Sequence, residues 1–298
     1  MSSDPLLDQL QHHVSNSLPA QLPELVAFIV GANPSNGARS PKLWNAAFRA
    51  CGIDGVMYPL DVDGANLPTV LQLLKQDSRV IGVAVAAPHK SLVAKTYVEH
   101  LSPTSKMSES VNLLYRAKDT KFIGENTDGL AALQSLRRAQ MISPSQEILV
   151  LGCGATGRSV LSSLLTVVDA QRIRVAVRGD SAQGWLSGLG LQPIDFASLE
   201  HSCAQADLVI NCTTVGWGSD ADQSPMSEKA IAHLPDNCSV FDVVYQPDVT
   251  EFCRIAALRG LRTLGGNEMN FLQAVLAFSL ANPMADEARV VAAMKSTL

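Results

Sequence analysis

The stretch Glu147-Ile-Leu-Val-Leu-Gly-Cys-Gly-Ala-Thr-Gly-Arg158 restricts the fold more than any other part of the chain. Ile148 to Leu151 reads as a short buried strand, and Ser159 to Val168 has helical periodicity. Between them Gly152, Gly154 and Gly157 give the spacing G-x-G-x-x-G. In that spacing the first glycine allows a tight turn, the second lets the backbone approach a pyrophosphate, and the third lets helix pack on strand. The start of the helix offers free N–H groups and a positive dipole end to the phosphates. A glycine triplet alone can mark any sharp turn. With its strand, its helix and a further apolar run at Arg172 to Val177, it points to a dinucleotide-binding unit of Rossmann type. Gly152, Gly154, Ala155, Thr156 and Gly157 are the candidate cofactor contacts in the turn.

A length of 298 residues predicts two domains, and 47% hydrophobic residues suffice for two cores. A net charge of −5 with no basic run argues against nucleic acid or an anionic membrane as partner. No uninterrupted apolar stretch is long enough to span a bilayer, and the first residues, with Asp4 and Asp8, do not resemble a signal peptide. The six cysteines are scattered without a C-x-x-C pair, and His12 and His13 belong to no metal-ligand pattern. A reduced, cytoplasmic enzyme without a metal is expected, as a monomer or homodimer acting on a small molecule.

Before the glycine turn, apolar runs at Leu25 to Val30, Tyr58 to Val62, Val80 to Ala87, Val111 to Tyr115 and Phe122 to Asn126 predict strands. Helices are expected at Pro41 to Cys51 and Leu67 to Lys75, with a turn around Asp119 and a polar, partly helical extension before residue 24. This β-α alternation implies an α/β first domain with a largely parallel sheet. After the turn, strands are expected at Asp207 to Asn211 and Ser239 to Val244, then a long apolar helix from Met269 to Leu280. That helix can return to complete the first domain. The expected division is 1–129 with 267–298 for the first domain and 130–266 for the second.

Lys90 and Asp128 each follow a predicted strand, at the edge where open α/β sheets place ligands. Such a pair can share proton transfer at a hydroxyl or carbonyl, although a surface lysine and a helix-capping aspartate satisfy the same spacing.

The chain resembles the shikimate dehydrogenase family from residue 25 onward. The resemblance rests on Arg39-Ser-Pro41 with Asn45-Ala-Ala-Phe48, Pro88-His-Lys90, Val111-Asn112 and Asn126-Thr-Asp-Gly129. It continues through the glycine turn, Ile210-Asn-Cys-Thr213 with Gly216, Asp242-Val-Val-Tyr245 with Pro247, and Met269 with Gln273. Eight such pieces in register are specific where any one is not. The resemblance implies two α/β domains, a substrate domain and a Rossmann domain, with a cleft between them. It implies interconversion of shikimate, or a close analogue, and its 3-dehydro form with NADP, in aromatic amino acid biosynthesis. By the same resemblance Lys90 and Asp128 are the catalytic pair. Ser40, Asn112, Tyr245 and Gln273 contact the substrate, a cyclic polyhydroxy carboxylate, and Thr213, Val243 and Gly266 join the cofactor set.

Three family side chains are missing. Ala38, Ala84 and Ala86 stand where the family usually has serine, asparagine and threonine. Each lost hydrogen bond to substrate costs about 1–3 kcal/mol, so shikimate should bind weakly or another ligand, such as quinate or an amino analogue, should replace it. Arg39, Ser35 and Asn36 are candidate substitutes. Cofactor choice is divided: Arg178 matches the family's arginine facing a 2′-phosphate, whereas Asp180 can accept from a ribose diol, leaving NAD as the alternative to NADP. Trp217 is expected near the nicotinamide and His89 in a structural role. A ligand- or cofactor-sensing protein that kept the fold with little turnover is the competing class, against which Lys90 and Asp128 both argue.

Overall fold

A computed structural model describes residues 4–117 and 121–298. The chain divides into two compact units, Met1–Thr127 with Gln273–Leu298, and Asp128–Leu272, and each is built on a six-stranded sheet.

The first sheet holds β1 (Leu25–Gly31), β2 (Gly55–Asp61), β3 (Val80–Val85), β4 (His100–Leu101), β5 (Leu113–Arg116) and β6 (Phe122–Glu125). Their order is β2-β1-β3-β5-β6-β4. β1 is the central apolar run and pairs in parallel with β2 and β3. β5, however, runs antiparallel to both β3 and β6, so the sheet is mixed where a largely parallel one was expected. Residues 117–121 are too few for a parallel crossover, which needs a dozen or more. The reversal means that β5 begins at the edge where β1, β3 and β6 end. The turn expected around Asp119 lies outside the described residues.

One face of this sheet packs on Trp44 and Phe48 of the helix Ser40–Ala50 and on Phe278 of the helix Asn267–Ala281, whose rings meet edge-on with centroids 5.0–6.1 Å apart. A Cβ at Gly82 would sit 3.3 Å from both Trp44 and Ala281, so the bare backbone lets these helices close on β3. On the other face Val70, Leu71 and Leu74 join Leu6 and Leu10 in one core. The N-terminal extension is therefore part of the fold. Its helix, Pro5–Leu10, buries leucines at positions 6, 7 and 10, and Arg79 grips Asp4 with two bonds of 2.7 and 2.9 Å.

The second sheet holds β7 (Ile148–Leu151), β8 (Ile173–Val177), β9 (Gln192–Asp195), β10 (Leu208–Asn211), β11 (Ser239–Asp242) and β12 (Arg262–Leu264). All pairs are parallel, in the order β12-β11-β10-β7-β8-β9. This is the doubly wound Rossmann order, whose ligand site lies at the switch point between β7 and β10. β9 and β12 escaped the sequence reading because they are polar edge strands without an apolar run. The division back to the first unit falls at Gln273, inside the helix Asn267–Ala281, rather than at its start. Among the described residues no helix is long and apolar enough to cross a membrane.

Candidate active site

The three glycines of the turn serve three different needs. Gly152 follows β7 with φ +91°, in the left-handed region, and a Cβ there would lie 2.8 Å from the Thr213 methyl. A Cβ at Gly157 would lie 2.5 Å from the Gly152 carbonyl, so glycine alone permits this helix-to-turn approach. At Gly154 nothing lies within 4 Å, which leaves open backbone for a pyrophosphate. The helix Ala155–Leu164 starts there, with the N–H groups of its first turn available. These residues fit a dinucleotide.

Asp128 is buried and opens the helix Asp128–Arg138. That helix is fixed against the turn's helix: Gly129 N–H donates to Ser159 Oγ at 2.9 Å, and a Cβ at Gly129 would strike the Ser159 carbonyl. Thr156, in the turn itself, donates through Oγ1 to Asp128 Oδ2 at 3.4 Å. The candidate catalytic carboxylate and the pyrophosphate turn are thus built as one piece.

Across the switch point, Asn211 and Asp242 form a buried hub. Asn211 Nδ2 donates to Asp242 Oδ1 at 2.9 Å, the Val244 N–H reaches the same oxygen at 3.0 Å, and Thr250 Oγ1 donates to Oδ2 at 2.6 Å. Asn211 Oδ1 in turn accepts from the Thr213 N–H and hydroxyl at 2.9 and 2.7 Å. The hub fixes Thr213, Val243 and the half-buried Tyr245 at the carboxyl ends of β10 and β11. Gly266 packs on the same corner: its N–H donates to the Val244 carbonyl at 3.1 Å, and a Cβ would collide with the Val243 carbonyl. Burial pushes the Asp242 carboxyl up to about 6, opposed by its bonds from Thr250, Val244 and Asn211. Burial also raises the Cys153 and Cys212 thiols, which keeps them protonated packing groups. Arg178 and Asp180 lie exposed after β8, where Gln183 donates to Asp180 at 2.5 Å. Trp217 is exposed as well.

In the first unit the candidates gather at the shared sheet edge. Lys90 begins the helix Lys90–Thr96, and its carbonyl accepts from Val111 N–H at 3.0 Å, which sets it beside Asn112. Buried Asn112 donates from Nδ2 to Thr127 Oγ1 at 3.0 Å and accepts the Thr127 N–H at 2.9 Å. Thr127 Oγ1 in turn donates to the Gln273 carbonyl at 3.1 Å. Thr127 is a link that reading the sequence missed. A threonine between Asn126 and Asp128 was its only signal. Ala84 shares the face of β3 that carries Gly82, which packs on Trp44 of the helix that Ser40 opens, and Ala86 follows just past the strand's end. A Cβ at Gly31 would sit 2.9 Å from Ala86 Cβ, so glycine at 31 leaves position 86 its room. Ser35 is not a substitute contact, since its N–H and hydroxyl both go to Asp61. His89 is buried, and its Nε2–H donates to the Val62 carbonyl at 2.8 Å, the structural role expected of it.

A sheet in this order, with this turn, defines the class of Rossmann-type dinucleotide-binding proteins. A family model described as the shikimate dehydrogenase substrate binding domain matches residues 30–114. A shikimate dehydrogenase (NADP(+)) of Symbiobacterium thermophilum is 30% identical over 246 residues, 80% of this chain and 82% of its own. Another, from a Jannaschia species, is 30% identical over 85% of this chain and 90% of its own. The crystal structure of shikimate 5-dehydrogenase from Thermus thermophilus, in complex with NADP(H) and shikimate, superposes with a TM-score of 0.78 at 26% identity, over 92% of this chain and 100% of that one. The chain belongs to the shikimate dehydrogenase family.

Proposed function

We propose that the chain catalyses the reversible, NADP-dependent oxidation of shikimate, or of a close cyclohexene carboxylate, at the ring C3 hydroxyl. The observation that carries this reading is Asp128, buried against Thr156 of an intact pyrophosphate turn, in a chain that also presents Lys90 beside Asn112 at its other sheet edge. Its relatives' activity as NADP(+) shikimate dehydrogenases supports it further.

NADP, held at the turn of residues 152–157, would supply the hydride acceptor for the ring carbon. Lys90 hydrogen-bonds the reacting oxygen and moves its proton through Nζ, and Asp128 is the carboxylate of the proposed pair. Asn112, held by Thr127, presents its amide to a ring hydroxyl; Gln273 and Tyr245 supply further polar contacts, and Ser40 holds the carboxylate. Arg178 would hold the 2′-phosphate, and Thr213, Val243 and Gly266 would hold the rest of the cofactor. A compartment in the cytoplasm and a monomer or homodimer complete the proposal.

The test is a steady-state panel of shikimate, quinate and related acids with NADP and with NAD. Because Ala38, Ala84 and Ala86 lack polar atoms, the expected result is a high KM for shikimate and a narrow spread of kcat/KM across the acids. Restoring Ala38→Ser, Ala84→Asn and Ala86→Thr together should tighten shikimate by about 1–4 kcal/mol, allowing for coupling between neighbours. A low micromolar KM that the restored side chains do not improve contradicts this view of the pocket. For the cofactor, Arg178→Ala should lower kcat/KM for NADP by about 1–3 kcal/mol and leave NAD nearly unchanged, since only NADP carries the phosphate. Equal losses with both cofactors would reduce Arg178 to a support for the fold.

A further inference from the structure

β2 lies at the edge of the first sheet, and its outward-facing backbone groups are taken by side chains of the same chain. Asn45 accepts the Met57 N–H at 2.6 Å and donates to the Met57 carbonyl at 3.1 Å. Two residues on, Asn16 does the same work from the N-terminal segment. Its Nδ2 donates to the Pro59 carbonyl at 3.0 Å and its Oδ1 accepts the Asp61 N–H at 2.7 Å, while Ser15 N–H donates to the Asp61 carbonyl at 3.0 Å. The segment is held in turn by Asp4 on Arg79, by Leu6 and Leu10 in the core, and by His13 on Asn66.

Asp61 faces the other way with its side chain. The carboxylate is buried and accepts the Ser35 N–H at 2.8 Å and the Ser35 hydroxyl at 2.5 Å. Ser35 belongs to the loop that leaves β1 and delivers Arg39 and Ser40 to the helix Ser40–Ala50. The next residue, Val62, gives its N–H to the Gly31 carbonyl at 2.8 Å and accepts His89, the neighbour of Lys90. One corner, residues 61 and 62, therefore ties both loops that carry Ser40 and Lys90.

We propose that Asp61 is a positioning residue for the substrate-binding loop after β1, and that the N-terminal segment, acting through Asn16, holds Asp61 in place. This inference rests on the reading that the loop presents Ser40 to the substrate carboxylate. Asn16 lies upstream of residues 30–114, where the family's substrate domain matches. The positioning is thus carried by a part of this chain outside the matched domain.

The variants are Asn16→Ala, Asp61→Asn and, as a milder probe, Ser35→Ala, each in the full chain. Two measurements apply: hydrogen exchange of the Ser35 amide, and steady-state kinetics with shikimate and NADP. Asn16→Ala should speed Ser35 exchange roughly tenfold, because the loop's anchor loosens. Asp61→Asn should raise the shikimate KM by roughly 5- to 30-fold, and Asn16→Ala by roughly 3- to 10-fold, with the NADP KM within about twofold of wild type. The Asn16→Ala/Asp61→Asn double variant should be no worse than Asp61→Asn alone, since both act through one carboxylate. Unchanged Ser35 exchange in Asn16→Ala, or a shikimate KM that stays constant while thermal stability falls, overturns the proposal. Inactivity of the wild type toward shikimate would instead overturn the proposed activity, and the exchange measurement would still decide the role of Asn16.

Discussion

Replacing Lys90 with alanine is expected to lower kcat by about two to four orders of magnitude, the loss typical of a missing proton-transfer group. The residue begins the helix Lys90–Thr96 rather than sitting within it, so removing its side chain leaves the helix's own bonds in place. What fixes its position is backbone, the bond from Val111 N–H to the Lys90 carbonyl, and buried His89 anchored on Val62. An alanine keeps both. The loss should therefore appear in kcat, with the NADP KM within about twofold and the melting temperature nearly unchanged. Single-turnover kinetics check that chemistry, not product release, has slowed. Turnover close to that of the wild type would remove Lys90 from the mechanism.

Asp242→Ala should have the largest effect on stability. Asp242 is fully buried, and alanine leaves Asn211 Nδ2, the Val244 N–H and the Thr250 hydroxyl without their shared acceptor, a cost of about 2–5 kcal/mol. The pH dependence has a definite sign. Burial raises the folded carboxyl to about 6, above its ordinary value of 3.8, so the folded state takes up a proton that the unfolded chain releases. The charged form therefore carries a desolvation penalty above pH 6 that fades as the pH falls toward 4. The stability gap between wild type and Asp242→Ala should widen as the pH is lowered through that window, at up to about 1.4 kcal/mol per pH unit. Urea unfolding of both proteins at several pH values measures the gap, and effects common to both cancel. A gap that narrows on acidification would mean that the three donors, not burial, dominate this carboxyl.

The parts of the fold that were readable are those whose cause is local. Gly152, Gly154 and Gly157 act within one turn, and runs such as Leu25 to Val30 are buried for their whole length, so spacing and hydropathy revealed them. The direction of β5 was not readable, because strand direction depends on the length of a connection and not on the strand's composition. β9 and β12 carry polar edge residues, and the leucines of the N-terminal segment sit among prolines and polar residues that hide their spacing. Lys90, Asn112, Asp128 and Gln273 are candidates that only family resemblance singles out, since a lysine, an amide or an aspartate after a strand has no distinctive spacing of its own. The threonines that link to them, Thr127 and Thr156, were not singled out for those bonds, and Asp61 was missed because its partners lie 26 and 45 residues away in sequence. Ser35 shows the converse error. Its residue type suited a substrate contact, but its donors were already committed to Asp61.

The central claim, hydride transfer from the ring carbon of shikimate to NADP, is tested most directly with shikimate deuterated at C3. Incubated with the wild-type protein and NADP at alkaline pH, it should yield NADPH absorbance and a reduced cofactor one mass unit heavier, the label residing on the nicotinamide ring. Lys90→Ala should form the same labelled product far more slowly. Reduced cofactor without the label, or none at all at saturating shikimate, would contradict the account.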